Sequence, residues 1–251
     1  MRPYPSSYLE SGERPDDSPP PYDVVIFDCD STLSNLEGID SLAENLSGED
    51  AAAISTLTIE AMGGVKSLQE VYGERLERIR PSRTDVEALG QRYIAGLLPS
   101  AREVIAALQF LGKEVHVLSG GLEPGVVAAA AELGIDPANV HAVGIYFDEA
   151  GSYAGFDTSS PLAREGGKPE IVATLRRDRE VVLVGDGTTD IEASPELARF
   201  VAFGGVVKRD VVFQLARVHA TDSDLVQLLP LLCSGAELDL IDAEPRFADL
   251  L

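Results

Sequence analysis

The stretch Asp28-Cys-Asp-Ser-Thr32 follows the apolar run Val24-Val-Ile-Phe27. Four consecutive apolar residues bounded by polar ones read as a buried strand. The strand would deliver two carboxylates, two residues apart, to its C-terminal end, where open α/β sheets place their ligands. A pair of acids there is costly unless something neutralises them, most often a metal cation. Three further stretches put polar groups at strand ends or helix starts: Ser119-Gly-Gly121, Lys168, and Asp186-x-x-x-Asp190. In a parallel sheet all four would meet at one edge. They would supply acids for a cation, a hydroxyl and backbone N–H groups for an anion, and a lysine for charge balance.

That inventory suits phosphoryl transfer. Asp28 can attack phosphorus and form an aspartyl-phosphate. Attack on a dianion calls for Mg²⁺, which prefers oxygen ligands and bound phosphate, with Asp186 as a natural further ligand. Asp30 can protonate the leaving alkoxide and then take a proton from the water that opens the acyl-phosphate. Ser119, the N–H groups near Gly120 and Lys168 can hold the phosphoryl oxygens. Asp190 is expected to orient Lys168 or the metal's water shell.

Other readings of the same residues are weaker. Two acids after a strand are often simple turn residues. A calcium loop starting at Asp28 fails because Leu33 stands where Gly is needed and Ile39 where Glu is needed. Gly166-Gly167-Lys168 lacks the spaced glycine of a P-loop, and Pro169 replaces its Ser/Thr. Cys29 should point away from its acidic neighbours, and His116, in mid-strand, reads as structural.

The elements that must position these groups alternate. Helices are expected at 100–111, 124–133 and from Gly166 through Leu175, and strands at 114–118, 140–147, 181–184, 198–203 and 219–220, with a hairpin through Asp148-Glu-Ala-Gly151 to Tyr153–Phe156. Alternating strands and helices imply a parallel sheet covered on both faces. Between the first strand and this region, residues 38–96 read as helices only. Ile39, Leu42, Ala43 and Leu46 fall at helical spacing. Helices follow at 51–62, closed by Gly63-Gly64, at 67–79, and at 85–95 with Thr84 as cap.

The formal net charge of the 251-residue chain is −22. This argues against nucleic acid or anionic membrane bound through a basic surface. Cys29 and Cys233 are the only cysteines, so no disulfide framework is expected and a reduced, cytoplasmic setting is the default. No apolar run reaches membrane-spanning length. Residues 1–21, rich in Pro, Ser and acids, read as a mobile tail. The acidic, amphipathic end from Ser234 has no assignable place. Oligomeric state, monomer or homodimer, is open.

The motifs Asp28-Cys-Asp-Ser-Thr32, Ser119-Gly-Gly121, Gly167-Lys168 and Gly185-Asp-Gly-Thr-Thr-Asp-Ile-Glu-Ala193 resemble, in order, those of the haloacid dehalogenase-type phosphatases. More narrowly, the chain resembles the phosphoserine-hydrolysing branch, through Glu37-Gly-Ile-Asp40, Glu60-Ala-Met-Gly-Gly64, Glu74-Arg-Leu76, Pro81-Ser82, Tyr153-Ala-Gly-Phe-Asp157 and Phe203-Gly-Gly205. The likeness runs from about Tyr22 to Leu229. It implies a Rossmann-like parallel-sheet core (22–36 and 97–232) with an inserted helical cap (37–96), and leaves 233–251 as an extension of unknown role. It implies Mg²⁺ held by Asp28, Asp30 and Asp186, and a small-molecule substrate, phosphoserine, cleaved to serine and phosphate as in the last step of serine biosynthesis. Glu37 would take the substrate ammonium and Arg75 the carboxylate. Met62 and Gly63 would line the pocket, and Ser119, Gly120, Gly121, Lys168 and Asp190 would serve phosphate. Leu68 departs from the phenylalanine usual in that branch, which keeps open a phosphatase for another small phosphomonoester. A phosphometabolite-binding module without turnover is the remaining alternative. Pro169 replaces the commoner glycine and suits a first helical turn.

Overall fold

The computed structural model describes residues 21–251 except 45, 47, 63–66 and 249, and omits the side chains of 55, 58–62 and 68. The mobile tail expected over 1–21 therefore lies almost wholly outside the described residues.

The first strand, β1 (Val24–Phe27), is buried along its whole length. Helices α1 (Gly38–Ala43), α2 (Gly48–Met62), α3 (Leu68–Ile79) and α4 (Arg83–Ala95) follow it without an intervening strand. Then come α5 (Ala101–Phe110), β2 (Glu114–Leu122), α6 (Glu123–Glu132) and β3 (Val140–Val143). A hairpin of β4 (Ile145–Phe147) and β5 (Tyr153–Phe156) precedes α7 (Gly167–Arg176), β6 (Val181–Gly185), α8 (Thr188–Ile191), β7 (Arg199–Phe203), α9 (Asp210–Leu215) and β8 (Val218–Ala220). Helices α10 (Leu229–Leu232) and α11 (Gly235–Ala243) follow.

Six strands form one sheet in the order β3-β2-β1-β6-β7-β8. Every neighbouring pair is parallel. Parallel strands covered on both faces are near-continuous apolar runs, which is what Val24–Phe27 and Val181–Val184 are. The sheet extends to opposite sides from β1, through β2 on one flank and β6 on the other. The C-terminal end of β1 is therefore a topological switch point, the place where such sheets form a crevice. Asp28 begins there, its N–H bonded to the Val184 carbonyl at 2.9 Å.

Four details differ from the sequence reading. The segment 140–147 divides into β3 in the main sheet and β4 in a separate antiparallel pair with β5. Strand β2 does not stop at Ser119; it runs through the Ser-Gly-Gly motif to Leu122, with an irregular register against β3 there. Helix α4 starts at Arg83 with Ser82 as cap, because Ser82 and Asp85 form a reciprocal capping box that leaves Thr84 inside the first turn. The C-terminal end also has a place. Glu237 of α11 reaches the buried Lys113 at 2.6 Å, and Lys113 donates to the Tyr22 carbonyl at 2.9 Å. The expected Gly63-Gly64 helix stop is outside the described residues.

Candidate active site

The sheet's C-terminal edge opens into a cavity of about 820 Å³. Asp28 and Asp30 reach it from the loop after β1, Ser119 and Gly120 from β2, Lys168 from the start of α7, Asp186 from the turn after β6, and Asp190 from α8. Glu37 and Arg75, which sit at the start of α1 and in α3, line the same cavity. Gly121 is not among the lining residues; its N–H is taken by the Ser119 hydroxyl at 2.9 Å. The Met62 side chain and Gly63 lie outside the described residues.

Lys168 is buried and makes two ion pairs, with Asp28 Oδ1 at 3.0 Å and Asp190 Oδ1 at 2.6 Å. Burial opposes its charge, but Asp190 and Asp28 outweigh it and raise its pKa, so the ammonium is kept. Asp190 is held from the other side by the Gly187 N–H, which donates to Oδ2 at 2.9 Å. Gly185 makes this packing feasible, since a Cβ there would stand 2.3 Å from Asp190 Cγ.

Asp28, Asp186 and Asp190 are buried and each offers a carboxylate oxygen within 4.8 Å of the others. Three hard oxygen donors so close fit a divalent cation of the Mg²⁺ type. Their electrostatics say the same. Burial, then the charges of Asp28 and Asp190, push Asp186 up to about 8. Burial pushes Asp190 up to about 6 against the pull of Lys168. A site whose carboxylates resist ionisation is short of positive charge. Asp30 is not in this group. Its Oδ1 accepts from the Tyr93 hydroxyl and its Oδ2 from the Gly38 N–H at 3.1 Å. Burial, then Glu37 and Asp28, push Asp30 up to about 7, a value at which a carboxyl can both give and take a proton near neutrality.

The two residues expected to recognise a zwitterion each have a partner of opposite charge. Arg75 pairs with Asp40, while its buried Nε has no hydrogen-bond partner among the described residues. Glu37 Oε1 accepts from the Ser31 hydroxyl at 2.7 Å and from Arg209 Nη2 at 3.1 Å. Arg209 Nε also donates to Asp186 Oδ2 at 2.9 Å. Burial raises the Glu37 pKa, and Ser31 and Arg209 oppose that shift.

Arg209 and Tyr93 carried no signal in the motif reading. Arg209 follows Phe203-Gly-Gly205, outside the quoted motifs, and a charge in a loop reads as solvated surface. Tyr72, whose hydroxyl donates to the Gly120 carbonyl at 2.9 Å, was also missed, because an aromatic at helical spacing reads as core. Cys29 is buried, does not line the cavity, and has its pKa raised well above the usual thiol value by burial. His116 bonds Glu114 at 2.6 Å and His141 at 3.1 Å, away from the cavity lining.

Residues 22–196 match the family model of the haloacid dehalogenase-like hydrolases. The chain belongs to that family. A phosphoserine phosphatase of Rattus norvegicus is 40% identical over 210 residues, covering 82% of this chain and 92% of the relative. One of Drosophila melanogaster is 37% identical over 203 residues, covering 79% and 74% respectively. Among solved structures, a phospho-aspartyl intermediate analogue of phosphoserine phosphatase superposes with a TM-score of 0.67 at 25% identity, over 84% of this chain and 99% of that one. A phosphoserine phosphohydrolase-like protein of Francisella tularensis gives a TM-score of 0.74 at 25% identity, again over 84% and 99%.

Proposed function

We propose that the chain is a Mg²⁺-dependent phosphoserine phosphatase that releases serine and phosphate through an aspartyl-phosphate, in the cytoplasm, as the last step of serine biosynthesis. One observation carries the reading: Asp28, Asp30, Ser119, Lys168 and Asp186 line a single cavity together with Glu37 and Arg75, one fixed charge of each sign for a zwitterion. The relatives' common activity supports it. We take 22–36 and 97–232 as the catalytic core, 37–96 as the cap that selects the substrate, and 233–251 as an extension.

The Glu37 carboxylate receives the substrate ammonium, and Arg75 receives the carboxylate through donors that include Nε, which has no partner among the described residues. Lys168 Nζ, the Ser119 hydroxyl and the main chain at Gly120 hold the phosphoryl oxygens. Asp28, steadied by Lys168, attacks phosphorus as the bond to the serine oxygen breaks. Asp30 gives its proton to that leaving oxygen. Asp30 then takes a proton from the water that attacks the acyl-phosphate, so phosphate leaves and Asp28 is regenerated. Asp28 and Asp186, with Asp30 and Asp190 close by, would hold Mg²⁺, which would supply positive charge against the repulsion between carboxylate and phosphate dianion.

The test is phosphate release by the purified protein from phosphoserine, phosphothreonine and simple phosphate esters, with and without Mg²⁺. The proposal expects phosphoserine to be favoured, and only with the cation. No release from phosphoserine, or a preference for esters lacking the amino and carboxylate groups, would overturn it.

A further inference from the structure

Tyr93 is completely buried in α4, and its hydroxyl donates to Oδ1 of Asp30, while the Gly38 N–H donates to Oδ2 at 3.1 Å. Both donors come from the helical stretch between β1 and α5, not from the sheet that carries Asp30. The place for the tyrosine is built by absent side chains on three segments. A Cβ at Gly38 would lie 2.0 Å from the Tyr93 hydroxyl oxygen, one at Gly121 3.1 Å from it, and one at Gly125 3.2 Å from ring atom Cε2. The Tyr93 carbonyl accepts from the Ser34 hydroxyl at 3.2 Å, which ties the same residue back to the loop after β1. A tyrosine that only filled the core would not need its hydroxyl aimed at a carboxylate that lines the cavity.

We propose that Tyr93 is a positioning residue for proton transfer by Asp30, acting by fixing the plane of the carboxyl group against the leaving oxygen. This rests on the role given to Asp30 above. As the phosphorus–oxygen bond to the alkoxide breaks, its electron pair takes the proton carried by Asp30. Tyr93 keeps its own proton throughout, as a phenol does at neutral pH, and sets only the direction in which Asp30 gives. The cost of losing Tyr93 must then depend on how much the leaving group needs a proton. Serine's alkoxide cannot leave without one; acetate can.

The experiment compares Tyr93→Phe with wild type on phosphoserine and on acetyl phosphate, by kcat/KM, which reports the steps up to departure of the leaving group. Losing the hydrogen bond that orients the acid should lower kcat/KM for phosphoserine about tenfold or more and leave acetyl phosphate within about twofold. In an Asp30→Asn background the same change should add no further loss on phosphoserine. Equal losses on both substrates, no loss on either, or a full further loss in the Asp30→Asn background would overturn the proposal. If Tyr93→Phe does not fold, Gly38→Ala serves instead, since its methyl group displaces the hydroxyl and must give the same split between substrates. A wild type that ignores phosphoserine refutes the substrate reading alone; Tyr93 is then judged on whichever alkyl phosphate the protein does cleave.

Discussion

Treating the protein with EDTA and raising the pH from 5.5 to 8.5 should destabilise it. The sign follows from linkage. Asp186 titrates at about 8 in the folded chain, against about 3.9 for an unperturbed aspartate. A carboxyl whose folded pKa is raised contributes stability that is complete below the unfolded pKa and is lost as pH rises through the folded one. Between pH 5.5 and about 8 the folded state holds a proton that the unfolded state does not. That is roughly 2.5 pH units at about 1.4 kcal/mol each, on the order of 3 kcal/mol from this side chain. For a chain of this size each kcal/mol moves Tm by about 2–4 °C, so a fall of roughly 6–12 °C is expected. Asp30 at about 7 and Asp190 at about 6 push in the same direction. Their mutual repulsion is shared with Asp186, so the three are not summed.

The assay is thermal unfolding followed by circular dichroism across that range, for wild type and Asp186→Asn, in EDTA and in saturating Mg²⁺. The substitution removes the titrating group, so its Tm should fall less steeply; this also subtracts the general repulsion within a chain of net charge −22. The cation competes with the proton for the same oxygens, so it should raise Tm more at pH 8.5 than at 5.5. A wild-type Tm that is flat or rising with pH in EDTA, or a slope unchanged in Asp186→Asn, would refute the reasoning.

Asp28→Asn should abolish phosphate release from phosphoserine while Tm in EDTA stays within a few degrees of wild type; retained turnover would exclude the aspartyl-phosphate route. Arg209→Gln removes the cation that keeps Glu37 in place. Because that pair is partly solvent-screened, the KM for phosphoserine should rise only about fivefold, with KM for an ester lacking the amino group unchanged. Glu237→Gln leaves the Lys113 ammonium buried beside a neutral partner, and urea titration should show a loss of roughly 3 kcal/mol; a loss below about 0.5 kcal/mol would mean that α11 does not depend on this pair.

The residues that meet at the sheet's edge were legible because they combine local chemistry with local pattern. Val24–Phe27 ends in acids, Val181–Val184 ends in Gly-Asp-Gly, and each pattern fixes a strand end without knowledge of the rest. The contacts that orient these groups were not legible. Arg209 and Glu37 lie 172 residues apart, and Tyr93 and Asp30 lie 63 apart. No periodicity links such pairs; only the sheet order and helix packing bring them together. Sequence pattern alone ends strand β2 at Leu118, because Gly120 and Gly121 count as breakers, yet a parallel strand tolerates them where other backbone or side chains come close. Asp190, expected to serve Lys168 or the metal's water shell, lies with Asp28 and Asp186 because α8 begins at Thr188 and its first turn folds Asp190 back over Gly185.

The motif pattern suggests a division of labour, with chemistry at the sheet edge and substrate choice in the helices. The contacts argue that the two are mechanically joined. Asp30 stands at the sheet edge but takes both of its hydrogen bonds from the helical segment. Glu37, in the helical segment, is tied through Arg209 to Asp186. Tyr72 of α3 holds the carbonyl of Gly120. A shift of those helices by an ångström would therefore move Asp30, Glu37 and the Gly120 main chain together, the groups to which the proposed mechanism gives proton transfer, the ammonium and the phosphate. Proton transfer is sensitive to displacements of that size. Substitutions that change which ester fits between α1 and α3 should accordingly lower kcat as well as raise KM, even for esters that the altered cavity binds well.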